Sequence, residues 1–277
     1  MPNDIGDADF PKTTYYPGTA AARGRIEPAP RRVRGYLGHE LVFDTTAARY
    51  VWELPYYPAY YVPLTDVRQE FLRDQEFQSD EEFQSDEEHP QEMQLGPSRL
   101  HSLIGAGQTH PSAARVFDAD SDSPVAGTVR FEWDPLRWFE EDEPIYGHPR
   151  NPYSRVDALR SHRHVRVELD GIVLADTGSP VLLFETGLPT RYYIDPTDVA
   201  FEHLEPSSTQ TLCPYKGVTS GYWSVRIGHT VQSDVAWTYH YPLPAVDRIA
   251  GLVAFYNEKL DIVLDGAVLP RPQTQFS

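Results

Sequence analysis

The sequence predicts a mainly β protein built from two tandem, homologous small domains. Three observations carry that expectation. The segment Arg32-Val33-Arg34-Gly35-Tyr36-Leu37 returns as His164-Val165-Arg166-Val167-Glu168-Leu169, a shift of 132 residues. Short runs alternate apolar with polar side chains, the period of a half-buried strand. The 25 prolines and an aromatic content of 12% suit strands and turns better than long helices.

The repeat holds beyond its first strand. Without any gap, Asp44-Thr45 falls on Asp176-Thr177 and Glu53 on Glu185. Tyr60-Tyr61-Val62 falls on Tyr192-Tyr193-Ile194, and Thr65-Asp66-Val67 on Thr197-Asp198-Val199. Strand periodicity alone would not demand such polar and aromatic matches, so the chain reads as a duplication, with copies from about Val33 to Trp138 and Val165 to Gly266. In the second copy Val165, Val167 and Leu169 alternate with Arg166, Glu168 and Asp170, and Asp170-Gly171 supplies a hairpin turn. Runs at 181–185, 191–194, 223–227 and 235–239 read as further strands. From Pro244 to Lys259, Val246, Ile249, Ala250, Val253 and Ala254 recur at helical spacing, with a proline tolerated near the start. Each copy is therefore expected to be a small antiparallel barrel or sandwich with a short late helix. The expected layout is an N-terminal extension (1–31), a first domain (32–145), a connector (146–163), a second domain (164–268) and a tail (269–277).

With 24 basic and 41 acidic residues the net charge is −17, histidines neutral. That argues against a general nucleic-acid binder or a binder of anionic membrane, both of which need a basic face. The charge is uneven: residues 70–94 hold ten acids against Arg73, a net of −9, leaving −8 for the rest. Within this stretch Glu76-Phe77-Gln78-Ser79-Asp80-Glu81 repeats at once as Glu82-Phe83-Gln84-Ser85-Asp86-Glu87. It reads as a solvated insertion in a surface loop, without the glycine turn and ligand spacing of a calcium loop. No apolar run is long enough for a membrane span, and the first residues lack a basic-then-apolar leader pattern. The expectation is a soluble, cytoplasmic protein. One cysteine, Cys213, excludes an intramolecular disulfide and a cysteine-built zinc site.

Thr211-Leu212-Cys213-Pro214-Tyr215-Lys216-Gly217, the upstream Arg191-Tyr192-Tyr193 with Asp198-Val199, and Ala236-Trp237-Thr238-Tyr239 resemble the DUF427 family. Gly147-His148-Pro149-Arg150-Asn151-Pro152-Tyr153 is similar to the connector of its two-copy members. The resemblance spans roughly Arg32 to Gly266. It implies a compact β-tent or barrel, loosely like the Mss4 and methionine-sulfoxide-reductase group, and it implies no established activity.

The chemistry points to Cys213 and Lys216 as catalytic candidates. A cation near a thiol favours the thiolate, which attacks polarised carbon. A desolvated Lys216 could alternatively form a Schiff base. Tyr192, Tyr193, Tyr215, Tyr222 and Trp223 are candidates to line a substrate pocket. Matching Gly96-Pro97 of the first copy to Cys213-Pro214 places Arg99 where Lys216 stands, making Arg99 a further binding candidate without a thiol beside it. His162 and His164 share a strand face and could join a carboxylate to hold zinc, but they read better as a solvated strand end, and no metal or other cofactor is expected. His148, Arg150, Tyr153, Arg155 and Asp157 read as a latch between copies or a contact to a substrate carboxylate. Equivalent positions favour structural roles for Glu53 and Glu185, and turn or capping roles for Asp66 and Asp198. His229 or His240 could serve as a base if folded near Cys213.

Two function classes follow. One is a small-molecule enzyme, a hydrolase or transferase using the Cys/Lys site of the second domain. The other is a non-catalytic ligand-binding or protein-interaction module with an aromatic-lined pocket. A small-molecule ligand or substrate is the expected partner, with no nucleic acid and no membrane, and exposed strand edges make a homo-oligomer plausible.

Overall fold

The structure, a computed structural model, describes residues 24–54, 57–74, 95–228, 230–274 and 277. The extension up to residue 23, most of the acidic insertion (75–94) and His229 lie outside the described residues. Between Pro152 and Tyr153 the chain divides into two compact units.

Each unit repeats one plan. In the first, a seven-stranded antiparallel sheet runs in the order 26–28, 49–51, 59–63, 128–131, 108–117, 98–105, 72–74. A four-stranded sheet follows the order 143–145, 137–140, 33–37, 40–45. In the second unit the seven-stranded order is 156–160, 181–185, 191–194, 253–255, 230–238, 221–227, 204–207. Its four-stranded sheet runs 172–177, 165–169, 261–264, 267–268. Both sheets of a unit contribute to one core: Val33, Leu37, Val42, Tyr60, Val62 and Leu103 in the first, Val165, Val167, Leu174, Ile194, Val225 and Ile262 in the second. Burying side chains of this size stabilises the fold by about 1.5–3 kcal/mol each.

The duplication extends to the irregularities. A bulge between Gly35 and Tyr36 recurs between Val167 and Glu168, and the isolated bridge Phe43–Val67 recurs as Ala175–Val199. Asp170 (φ 50°) and Gly171 (φ 78°) form the predicted tight turn with both residues left-handed. Volume is exchanged across one cross-strand pair. Gly35 faces Phe43, where a Cβ on Gly35 would sit inside the ring, while the second copy pairs Val167 with Ala175.

Three expectations change. Neither sheet of either unit closes among the described residues, so the barrel alternative gives way to paired open sheets. The late helix of the second copy is a 3-10 segment, Pro244–Ile249, broken at Val246 (φ −129°), followed by the strand Val253–Phe255. Its apolar residues are buried on both faces, a pattern that periodicity cannot separate from helix. The corresponding stretch 118–127 of the first copy carries no helix. Finally, the expected extension and connector contribute edge strands: Ile26 pairs with Val51, and Ala158 with Leu183.

Candidate functional site

Cys213 sits in a miniature hairpin of the second copy. Leu212 pairs with Val218 and Cys213 with Gly217, so Pro214-Tyr215-Lys216 form the turn. Proline fixes φ at the turn's first residue. Gly217 closes it at φ 98°, buried, in a region that other residues rarely adopt. The hairpin is pinned at both ends. Thr211 N donates to Thr219 Oγ1 at 2.8 Å, Thr219 N to Thr211 O at 3.1 Å, and Leu243 N to Lys216 O at 3.1 Å.

These constraints deliver the Lys216 ammonium to Glu185 Oε2 at 2.6 Å, with side chains 12% and 8% exposed. Burial alone would lower the Lys216 value. The acidic groups around it, Cys213 and then Glu185, outweigh burial and hold the ammonium well above the ordinary lysine range. Lys216 is therefore a charged donor at neutral pH. Cys213 is half-buried. Burial pushes Tyr193 up to about 12 against the opposing pull of Lys216 and the Trp237 N–H, and it raises Tyr239 as well. Both phenols keep their protons.

The predicted aromatic set divides in two. Adjacent strand residues point to opposite faces. Tyr193 and Tyr222 join Trp237 and Tyr239 in one cluster. Tyr192 and Trp223 pack into the core between the sheets instead and do not share that face. Tyr215 is half-buried in the hairpin turn. On the site face Trp237 Nε1 donates to Tyr193 Oη at 3.2 Å, and the Tyr222 and Tyr256 hydroxyls lie 2.9 Å apart. Arg191 is buried with Glu258 in a two-pronged pair at 2.5 and 2.7 Å, and its guanidinium lies 5.7 Å from the Trp237 ring centre. Glu185, Trp237, Tyr239 and Arg191 are members of this cluster beyond the residues that the sequence points to. Period-two alternation from Tyr193 and within Ala236-Trp237-Thr238-Tyr239 was the available signal for three of them.

Register corrects the assignment of Arg99. The 132-residue shift holds through Asp74 and Pro206, which face His101 and Trp223 across equivalent strand pairs. Those partners differ by 122, so Arg99 stands where the second copy has Gly221. Arg99 is exposed and lies 3.9 Å from Asp74. The interval between Asp74 and Ser98, which corresponds to the one between Pro206 and Ser220 that holds the cysteine hairpin, lies mostly outside the described residues. In the first copy Glu53 accepts from Tyr61 Oη at 2.8 Å and from Arg130 Nε at 3.2 Å. Arg130 pairs across the sheet with Tyr61 just as Ala254 pairs with Tyr193, so the same glutamate meets a cation from a different strand.

The remaining candidates go elsewhere. Arg150 and Arg31 both reach the buried Glu140, at 3.4 and 2.5 Å, so Arg150 latches its segment onto its own unit. Arg155 pairs with Asp157 at 2.8 Å. His148 stacks on Tyr57 with ring centres 4.0 Å apart. His164 pairs with Asp176 at 2.6 Å, and among the described residues no three His, Cys, Asp or Glu side chains gather as a metal site. His240 is exposed, its backbone N–H bonded to Ser220 Oγ. Thr45 donates to Asp66 at 2.6 Å within the predicted turn, and Asp198 ends the matching 3-10 turn. No helix among the described residues is long and apolar enough to cross a membrane.

A family model described as a domain of unknown function, DUF427, matches residues 25–93 and 157–266. No curated protein matches the chain.

Proposed function

The chain belongs to the DUF427 family, in two copies, and from that premise we propose that it is a small-molecule enzyme, a hydrolase or transferase whose nucleophile is Cys213. The observation that carries this reading is the ammonium of Lys216, held charged by Glu185 and coupled electrostatically to Cys213, Tyr193 and Tyr239. A fixed cation beside a thiol favours the thiolate and then stabilises the oxyanion formed on attack. A reducing cytoplasm, which keeps a lone thiol free, suits this chemistry. The same aromatic face would also serve a ligand-binding module without chemistry, and the Tyr222–Tyr256 hydroxyl pair beside Trp237 favours that second reading.

Alkylation separates them. Iodoacetamide is expected to modify Cys213 in the folded chain, read by intact mass, with a rate at neutral pH several-fold lower in Lys216→Met. A thiol that reacts only after unfolding would leave the binding module as the surviving reading.

A further inference from the structure

The charge balance of the site bears on what it accepts. Lys216 has a carboxylate at 2.6 Å, and Arg191, two residues from Tyr193 and on the same sheet face, is held by both oxygens of Glu258. Each of these buried cations is thus matched by its own carboxylate. A substrate carrying a carboxylate or phosphate would bring an extra negative charge next to Glu185, with no unmatched cation of this pair to receive it. Burying such a charge is costly. The buried side chains around the pair are instead phenolic and indole: Tyr193, Tyr222, Trp237 and Tyr239.

We propose that the site accepts an uncharged carbonyl compound, an ester or thioester of a neutral acyl group, in preference to an anionic substrate. This rests on the nucleophilic role of Cys213. An ammonium has three N–H donors, and one of them meets Glu185. The others serve the oxyanion, a charge that exists only during reaction. The thiolate forms a C–S bond to the carbonyl carbon and the carbonyl electron pair moves to oxygen. When the oxyanion collapses, the bond to the leaving group breaks, and that group departs with the electron pair and takes a proton from water. Water then attacks the thioester, the C–S bond breaks, and the carboxylic acid and thiolate are released.

The test uses the full chain with two reagents of nearly equal size, neutral iodoacetamide and anionic iodoacetate. Each displaces iodide to form the same C–S bond. Salt at about 1 M shortens the screening length to about 3 Å, so the net charge of the chain does not decide the result. Relative to free cysteine, Cys213 is expected to favour iodoacetamide several-fold, and Glu185→Gln, which releases Lys216, is expected to bring that preference back toward free cysteine. A wild-type preference equal to or below that of free cysteine overturns the proposal, as does a preference unmoved by Glu185→Gln. Reaction with neither reagent removes the nucleophile itself, a distinct failure. Should Glu185→Gln not fold, the wild-type chain is offered p-nitrophenyl acetate and mono-p-nitrophenyl succinate. Faster acetylation of Cys213, read by peptide mass, supports the neutral-substrate preference, and faster succinylation overturns it.

Discussion

The two copies share a glutamate and a tyrosine at equivalent places, Glu53 with Tyr61 and Glu185 with Tyr193, and surround them differently. In the first copy the cation is Arg130, seated in the sheet itself, and the pair is about a quarter exposed. In the second, Ala254 stands in that place and Lys216 arrives from a hairpin, burying the pair more deeply. The row across the outer face changes with it. Arg49, Tyr61, Arg130, Arg115 and Leu100 correspond to Val181, Tyr193, Ala254, Trp237 and Tyr222. The first row is largely basic and the second largely apolar and aromatic. A carboxylate kept in both copies therefore has a structural task in each, and what differs is the set of side chains around it.

Removing the cation is the strongest way to break this comparison. Lys216→Met leaves Glu185 buried and unpaired, which costs about 3–5 kcal/mol. Arg130→Met leaves a more exposed Glu53 that still accepts from Tyr61, a loss of about 1 kcal/mol or less. Amide exchange in strands 191–194 and 59–63 reads the two effects separately, and equal losses would show that the pairs are equivalent after all. The volume exchange comes next. Gly35→Val is expected to cost about 1–3 kcal/mol by overpacking against Phe43, with most of the loss recovered by adding Phe43→Ala, as the second copy does naturally. Thermal unfolding of the single and double variants checks it.

The smallest effect is a pH dependence confined to the second copy. Burial pushes the Glu258 carboxyl up, but the hydrogen bonds and charge of Arg191, with the Thr274 hydroxyl, outweigh it and hold the group below the usual carboxylate range. A depressed carboxylate contributes stability that is present above its unfolded value, about 4.3, and is lost as pH falls through the folded value. Strand 191–194 should lose exchange protection in that acid window, and Arg191→Met should flatten the dependence. Ala59 stands at the position of Arg191 in the first copy, so strand 59–63 should lack this acid step.

The duplication is legible because a shift of 132 residues matches polar and aromatic positions, and the hairpin at Asp170-Gly171 because it depends on neighbours close in the chain. Glu185 could not be tied to Lys216 in the same way, since the two are 31 residues apart and are joined by the pairing of separate strands. Tyr192 and Tyr193 are adjacent yet point to different clusters, so an aromatic count does not say which rings share a face. The late helix failed for a related reason: Val253, Ala254 and Phe255 are buried on both faces, and such a run carries no period. Arg99 was misplaced because a ten-residue length difference lies between it and the matched strands.

The lengths of the two copies differ in two intervals between described strands: between those at 72–74 and 98–105, against 204–207 and 221–227, and between Phe117 and Thr128, against Tyr239 and Leu252. In the second copy these intervals hold Lys216 and Leu243, which are joined to each other by a backbone hydrogen bond. The framework strands stay in step, and both length differences fall in segments that touch each other in the second copy. Length change falls in segments between the framework strands, and the pairing register of those strands is kept.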